Sequence, residues 1–211
     1  MSRPLIVTDC DEVLLHMVVP FRDWLDEEHD IAFDFAGGSA LKLTHRHDNS
    51  PVDREKLWPL LDGFFATQMH RQPPITGALE AIGRLNEVAD IVVLTNIGEK
   101  GHAGRVAQLG ALGVYHPVVS NWGGKGPPLA RLVEQYAPTV TLFIDDIAHN
   151  HESVAEHVPD AWRLHFVGEP QLASHISTSP HAHARIDNWA RAESWLRERA
   201  VAGAPADALP V

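Results

Sequence analysis

Short unbroken apolar runs alternate with helical patterns through the last two-thirds of the chain. The apolar runs predict strands at 5–8, 91–94, 118–120, 140–144 and 163–167. Helical patterns between them predict helices at 76–88, 101–112 and 127–136. Buried strands that alternate with helices are typical of a parallel sheet covered on both faces. The predicted fold class is therefore α/β, a Rossmann-like three-layer sandwich with a parallel sheet.

Residues 15–74 interrupt this alternation and are rich in aromatic and charged side chains. Helical stretches near 21–28 and 53–68 predict a small, mainly helical cap inserted after the first strand. We therefore divide the chain into a core domain at 1–14 and 75–199, a cap at 15–74 and a poorly ordered tail at 200–211. The aromatic residues of the cap either form its own core, which helix spacing favours, or line a substrate pocket. They are Phe21, Trp24, Phe33, Phe35, Trp58, Phe64 and Phe65.

Composition limits the possible partners. The 211-residue chain has a formal net charge of −11, which argues against a nucleic-acid or acidic-membrane surface. Cys10 is the only cysteine, so an intramolecular disulfide is impossible and a reducing compartment is expected. No signal peptide or membrane-spanning stretch is visible, so we expect a cytoplasmic protein. A small anionic substrate stays compatible with the net charge, because a metal and one lysine can reverse the sign locally.

Three of the apolar runs end in polar residues, and a glycine-flanked lysine precedes one of the helices. These residues are Asp9 and Asp11, Thr95 and Asn96, Asp145 and Asp146, and Lys125. If the strands are parallel, their carboxyl ends share one edge of the sheet, so these groups can converge there. Such a set suits phosphoryl transfer, because carboxylates hold Mg²⁺ or act as a nucleophile. A hydroxyl, an amide and an ammonium group then hold the phosphate oxygens.

The order of these residues resembles the four motifs of the haloacid dehalogenase (HAD) superfamily. Its first motif, an apolar strand followed by Asp-x-Asp, matches Asp9-Cys10-Asp11, and its second, a strand ending in Ser or Thr, matches Thr95. Its third motif, a lysine before a helix, matches Lys125, and its fourth, a strand ending in acids, matches Asp145-Asp146. The stretch 74–80 also resembles the family's usual lead into the second strand. The resemblance covers most of the chain and implies a HAD-like phosphatase with a small helical cap.

The resemblance also implies a role for each matching residue. Asp9 would be the nucleophile that forms an aspartyl-phosphate, and Asp11 would act as general acid and then as general base. Thr95 and Lys125 would stabilise the transferring phosphoryl group, with Asn96 beside them as a substrate contact. The implied cofactor is Mg²⁺, and its implied ligands are Asp9, the backbone carbonyl of Asp11, Asp145 and Asp146. The implied activity is Mg²⁺-dependent hydrolysis of a small phosphate monoester.

Two positions depart from the family's pattern. Glu12 stands where many members have glycine, and Asn150 stands where the family often has another acid. Asp11 disfavours dehalogenation, because the family's dehalogenases lack this aspartate. A phosphonatase would need a cap lysine, for which Lys42 and Lys56 qualify by location alone. A phosphotransferase of the same superfamily and a non-catalytic phosphate-binding protein are further alternatives.

Fourteen histidines offer a competing interpretation. On an extended segment a His-x-His pair points both rings to one side and suits Zn²⁺; the pairs are His45/His47, His149/His151 and His181/His183. A histidine-based metallohydrolase would leave Asp9, Thr95 and Lys125 without roles, so it is the weaker hypothesis. Within the cap, His45, Arg46 and His47 are candidates for contact with a small phosphorylated metabolite. The oligomeric state is not predicted by the sequence.

Overall fold

The computed structural model describes residues 2–34, 42–207 and 209. The strands are β1 (Leu5–Thr8), β2 (Ile31–Asp34), β3 (Lys42–His45), β4 (Asp90–Thr95), β5 (Val118–Ser120), β6 (Thr141–Asp145), β7 (Trp162–His165) and β8 (Ala184–Arg185). The helices are α1 (Val18–His29), α2 (Leu57–Thr67), α3 (Ala78–Leu85), α4 (Glu99–Ala111), α5 (Gly126–Tyr136), α6 (Ala148–His157), α7 (Pro170–Ala173) and α8 (Trp189–Ala202). Short 3₁₀ turns lie at Arg54–Lys56 and Met69–Arg71.

The main sheet has six strands in the order β5-β4-β1-β6-β7-β8, and every neighbouring pair is parallel. The central strand β1 alternates between two apolar layers, because successive side chains of a strand point to opposite faces. Ile6 packs in the layer that contains Trp189 of α8, and Val7 packs in the layer that contains Leu129 of α5. Helices therefore cover both faces, and the predicted Rossmann-like α/β fold is confirmed.

The segment between β1 and α3 contains α1, the antiparallel pair β2–β3 and α2. Its two helices agree with the sequence prediction, whereas the strand pair was not predicted. Four of the predicted aromatic residues, Phe21, Trp24, Phe33 and Phe64, are buried together in one apolar cluster, which Val167 and Leu172 of the core domain complete. Phe35 lies outside the described residues. Trp58 differs from these four because it is exposed.

The C-terminal stretch corrects one expectation. Helix α8 continues to Ala202, and the next residues return to the core instead of forming a poorly ordered tail. The backbone N–H of Ala206 donates to Asp160, and the Trp162 indole donates to the carbonyl of Ala204. Ala206 is buried there, whereas Ala204, Pro205 and Asp207 are exposed. Residues 208, 210 and 211 lie outside the described part of the chain.

Helix α6 was also missed, and its composition explains why. Its buried face carries Asn150, His151 and Ser153 as well as Val154, so the apolar spacing that marks a helix is absent.

Among the described residues, no helix has both the length and the apolar character needed to cross a bilayer.

Candidate active site

Four of the predicted site residues meet at the carboxyl edge of the sheet. Asp9 directly follows β1, Thr95 ends β4 and Asp145 ends β6, and β1 lies between the other two strands. Lys125 comes from the loop that leads into α5. The parallel topology brings these residues together although they are far apart in sequence.

Lys125 links the first and fourth motifs. Its side chain is fully buried, and Nζ lies 2.8 Å from Asp9 Oδ1 and 2.7 Å from Asp145 Oδ2. Burial alone would lower the pKa of Lys125, but the carboxylates of Asp145 and Asp9 hold that pKa above its usual value. The ammonium group is therefore a fixed positive charge beside Asp9.

Asp9, Asp145 and Asp146 form a compact acidic group, with one ligand atom from each lying within 4.8 Å of the others. Burial raises the pKa of Asp9 to about 7, despite Lys125, and the neighbouring carboxylates of Asp145 and Asp11 add to this rise. Burial, followed by the charges of Asp145 and Asp9, also raises the pKa of Asp146 well above its usual value. Three carboxylates and one ammonium leave an excess of negative charge, and a hard divalent cation with oxygen ligands would neutralise it.

The two acids of the fourth motif have different surroundings. Asp145 Oδ2 accepts from Lys125, while Oδ1 accepts from the backbone N–H of Ile147 at 2.9 Å and from Asn150 Nδ2 at 2.8 Å. Among the described residues, no hydrogen-bond donor reaches the Asp146 carboxylate, so this acid is the better placed of the two to face a cation. Asn150 supplies a donor to Asp145, where an acid at the same position would add another negative charge.

Asp11 is held by three side chains. Arg105 Nη2 lies 2.8 and 2.9 Å from its two carboxylate oxygens, and Gln72 Nε2 donates to Oδ1 at 2.6 Å. Thr95 Oγ1 lies 3.5 Å from Oδ2. Burial alone would lower the pKa of Arg105, but Asp11 and Cys10 hold it above its usual value. The guanidinium therefore stays charged and fixes the orientation of the Asp11 carboxylate.

Sequence reasoning missed Arg105 and Gln72. Arg105 is fully buried on α4, on the same face as Leu109 four residues later. A buried arginine requires an acidic or carbonyl partner, since an unpaired buried charge is costly. An arginine at an apolar position of a predicted helix was thus a usable signal. Gln72 follows the second 3₁₀ turn, where the sequence pattern gives no comparable signal.

Glu12, the departure from the usual glycine, has a structural explanation. Its φ is +58°, in the left-handed region that favours glycine. Its Oε1 accepts hydrogen bonds from the backbone N–H groups of Met17 and Val18, each at 2.7 Å. These amides lie at the start of α1, so the Glu12 side chain caps the first helix of the inserted segment. Both hydrogen bonds lower the pKa of Glu12, but burial outweighs them and raises this pKa to about 7.

Asn96 contacts the loop that carries Lys125. Its Nδ2 donates to the carbonyl of Gly123 at 2.9 Å, and Asn121 Nδ2 donates to Asn96 Oδ1 at 3.0 Å. The end of β4 is thereby joined to residues 121–124, immediately before Lys125. In this arrangement Asn96 positions the third motif relative to the second.

The histidines do not form a comparable metal centre. In the described ranges, the group of three close ligands is the acidic one, and it contains no histidine. His149 and His151 lie on α6, where His149 is exposed and His151 is buried, so the two rings do not share a side. In the cap, Arg46 pairs with Asp26, and His47 Nδ1 lies 3.6 Å from Asp30 Oδ2.

The α/β fold carries an inserted segment between β1 and α3, and residues of all four predicted motifs lie at the carboxyl edge of its main sheet. No protein-family model matches the chain, and no curated protein matches its sequence. Solved structures do match over nearly the whole chain. A haloacid dehalogenase-like family hydrolase from Xanthomonas campestris is 13% identical with a TM-score of 0.60, over 96% of this chain and 98% of that one.

Two phosphatases of known structure also match most of the chain at low sequence identity. The D,D-heptose 1,7-bisphosphate phosphatase of B. bronchiseptica, solved with magnesium and phosphate, is 12% identical with a TM-score of 0.54. The match covers 93% of this chain and 99% of that chain. A phosphoserine phosphatase, solved as an analogue of its phospho-aspartyl intermediate, is 14% identical with a TM-score of 0.52, over 89% and 95% of the two chains. These likenesses confirm the predicted HAD-like fold.

Proposed function

We propose that this protein is a Mg²⁺-dependent phosphatase that hydrolyses a small phosphate monoester through an aspartyl-phosphate on Asp9. The observation that carries the proposal is the position of Lys125, whose Nζ lies between Asp9 and Asp145 at 2.8 and 2.7 Å. A buried ammonium in this position holds a nucleophilic carboxylate in place and stabilises the negative charge of a phosphate beside it. Asp146 completes an acidic group suited to a divalent cation.

The reaction would proceed in two steps, phosphoryl transfer to Asp9 and then hydrolysis of the aspartyl-phosphate. An Asp9 oxygen attacks phosphorus while the bond from phosphorus to the ester oxygen breaks, and Asp11 gives its proton to the departing alcohol. Asp11 then takes a proton from water, which attacks phosphorus and breaks the bond to Asp9. Inorganic phosphate leaves and the Asp9 carboxylate is restored. Thr95 and Lys125 would stabilise the charge on the phosphoryl oxygens in both steps.

The acidic group supports Mg²⁺ as the cofactor. Asp9, Asp145 and Asp146, with the backbone carbonyl of Asp11, would hold the ion, and their oxygen atoms suit its preference for hard ligands. When bound, Mg²⁺ supplies positive charge that offsets the charge of the carboxylates and of the phosphate. Two structural neighbours are consistent with this chemistry, since one was solved with magnesium and phosphate and the other as a phospho-aspartyl analogue.

The alternatives from the same superfamily have less support. Lys42 and Lys56, the lysines that a phosphonatase would require in the cap, are both exposed. A phosphotransferase would use the same first step and pass the phosphoryl group to a second alcohol instead of water. A non-catalytic phosphate-binding protein would need none of the contacts that hold Asp11. We therefore favour hydrolysis of a small phosphorylated metabolite, in the cytoplasm.

The test is phosphate release from 4-nitrophenyl phosphate with and without Mg²⁺. Asp9→Asn should abolish the release while leaving the circular dichroism spectrum unchanged, because only the nucleophile is removed. Asp53→Asn, the same change at an exposed cap residue, should leave the rate unchanged. In an acid-quenched reaction, mass spectrometry should locate a phosphoryl group on Asp9. Undiminished release by Asp9→Asn would contradict the mechanism, and product carrying the phosphoryl group on an added alcohol would favour the phosphotransferase.

A further inference from the structure

A cleft separates helix α2 of the cap from the segment that joins β4 to α4. It has a volume of about 660 Å³, within the range of small-molecule sites. We call it the aromatic cleft. Its lining includes Phe65 and Asp62 from α2, Ile97, Glu99 and Lys100 from the core, and Trp122 from the loop after β5. A narrower extension of the same cleft reaches Trp58 and Asn96.

Two residues that line the aromatic cleft and its extension adjoin the residues assigned to catalysis. Asn96 lines its extension and directly follows Thr95. On the opposite side, the ring of Phe65 lies 5.5 Å from the guanidinium carbon of Arg105, and Arg105 binds Asp11. In the proposed reaction Asp11 gives a proton to the departing alcohol. The rest of that alcohol must therefore lie next to Asp11, and Arg105 connects Asp11 to Phe65 in the lining of the cleft.

Two exposed tryptophans contact each other in the lining of the aromatic cleft and its extension. Trp58 of the cap and Trp122 of the core are 57% and 62% exposed, and their ring centroids are 5.4 Å apart with the planes tilted by 55°. Two exposed rings in contact form an apolar surface patch, which marks a binding site more often than a single exposed ring does. One ring comes from the cap and the other from the core. The free ring faces, together with Phe65, offer surfaces on which a planar group can stack.

The charges around the aromatic cleft exclude one class of substrate. Two carboxylates, Asp62 and Glu99, line it against a single ammonium, Lys100. A second phosphate or a carboxylate on the alcohol would therefore meet net repulsion. An uncharged alcohol that carries hydrogen-bond donors would meet acceptors on both sides of the cleft.

We infer that the aromatic cleft binds a planar aromatic ring in the alcohol part of the substrate, as in a nucleoside monophosphate. This inference rests on the proposed phosphatase function and names its substrate class. A quaternary ammonium group also binds to tryptophan faces near carboxylates. Trp58 and Trp122 pack against each other with their ring centroids 5.4 Å apart, so the two rings do not form the open aromatic cage that encloses a quaternary ammonium group. The volume also exceeds what a choline group would fill.

Steady-state kinetics with Mg²⁺ test the inference on three phosphate esters: adenosine 5′-monophosphate, glycerol 3-phosphate and phosphocholine. We expect kcat/KM to be about tenfold or more higher for the nucleotide than for the other two, the size of effect that stacking one base gives. Trp122→Ala should lower the ratio of nucleotide to glycerol phosphate activity by about tenfold, mainly through KM. Tyr115→Ala, which removes an exposed ring that does not line the cleft, should leave the ratio unchanged. Equal kcat/KM values for the three esters, or a preference for phosphocholine, would overturn the inference.

A binding experiment separates failure of the inference from failure of the proposed function. Adenosine, which has no phosphate, should quench tryptophan fluorescence of the full chain, and Trp122→Phe should remove most of the quenching. If no ester is hydrolysed but this quenching is observed, the proposed function fails and the ring-binding cleft stands. If esters are hydrolysed and adenosine causes no quenching that depends on Trp122, the cleft assignment fails and the phosphatase stands.

Discussion

Arg105 Nη2 lies 2.8 and 2.9 Å from the two carboxylate oxygens of Asp11, so one nitrogen of a buried guanidinium holds both oxygens of the proposed acid/base. The second terminal nitrogen, Nη1, lies 3.0 Å from the sulfur of Cys10. Cys10, the middle residue of the first motif, therefore binds the Arg105 side chain together with Asp11. Arg105 touches neither the nucleophile nor Lys125 in this arrangement, and it acts by positioning Asp11.

Replacing Arg105 by lysine should slow the reaction in a way that depends on the leaving group. Lysine keeps the charge but cannot donate to Asp11 and Cys10 at once, so Asp11 loses its fixed orientation. We expect kcat to fall about tenfold or more for glycerol 3-phosphate, whose alcohol needs a proton to leave. The fall should be smaller for 4-nitrophenyl phosphate, whose leaving group departs readily as an anion. The comparison of kcat for the two esters is the measurement.

Two further variants separate positioning from folding. Arg105→Leu leaves Asp11 without its charged partner and should lower the free energy of unfolding by about 3 kcal/mol, as measured by urea titration. Arg131→Gln, at an exposed position of α5, should change neither stability nor kinetics. An equal fall in kcat on both esters for Arg105→Lys would argue against a role in protonating the leaving group.

Gly126 should not tolerate a side chain, because α5 and α6 pack closely at this point. A Cβ added at Gly126 would overlap the backbone oxygen of Ser153 and lie 2.6 Å from His157 Nδ1. Gly126→Ala should therefore lower the free energy of unfolding by about 2 kcal/mol or more. Activity should fall as well, since Lys125 is the preceding residue. Denaturant titration and phosphate release measure the two effects.

Gly83→Ala is the matched control for that change. Gly83 lies inside α3, and a Cβ there would meet no atom within 4 Å. Alanine should raise the free energy of unfolding by up to about 1 kcal/mol, because glycine is a poor helix former. Similar free energies of unfolding for Gly126→Ala and Gly83→Ala would show that the close approach of α5 to α6 is not required for stability.

The sequence predicted the core of the fold and the four motifs because these depend on local pattern. Strands β1, β4 and β6 contain apolar runs that end in a polar residue, and the parallel topology brings those ends together. Partners such as Arg105 and Gln72 depend on which helix or loop passes above Asp11, and sequence spacing does not carry that information. Helix α6 escaped prediction for a related reason: Asn150 and His151 are buried because they hydrogen-bond to Asp145, so their burial leaves no apolar signature.

Glu12 should make the stability of the protein depend on pH. Its pKa is about 7 in the folded protein, mainly because of burial, against 4.5 for an ordinary glutamate. Between these values the unfolded chain has released the proton that the folded chain still holds. The free energy of unfolding therefore falls as pH rises from 4.5 through 7, by about 3 kcal/mol from this residue.

The variant Glu12→Gln isolates this effect. Glutamine keeps an oxygen that accepts from Met17 and Val18 and has no proton to lose in this range. The difference in stability between Glu12→Gln and the wild type should therefore be small near pH 4.5 and should grow in favour of the variant up to pH 7.5. Glu55→Gln, at an exposed cap position, should show no such growth. A difference that does not change with pH would rule out burial of a titrating Glu12.

Asp146→Asn should separate metal binding from folding. Three close carboxylates repel one another when no cation is present, so removing one charge should leave the melting temperature in a metal chelator unchanged or higher. Mg²⁺ should raise the melting temperature of the wild type, since a ligand that binds only the folded state stabilises it. The variant should show little of this rise, and the Mg²⁺ concentration for half-maximal activity should increase about tenfold or more, because an uncharged amide replaces one carboxylate of the acidic group. Asp53→Asn should behave as the wild type in both measurements. If Asp146→Asn kept the full rise in melting temperature with Mg²⁺, the metal would have to be held by Asp9 and Asp145 without Asp146. That outcome would contradict the assignment of Asp146, because the oxygens of Asp145 already accept hydrogen bonds from Lys125, Ile147 and Asn150.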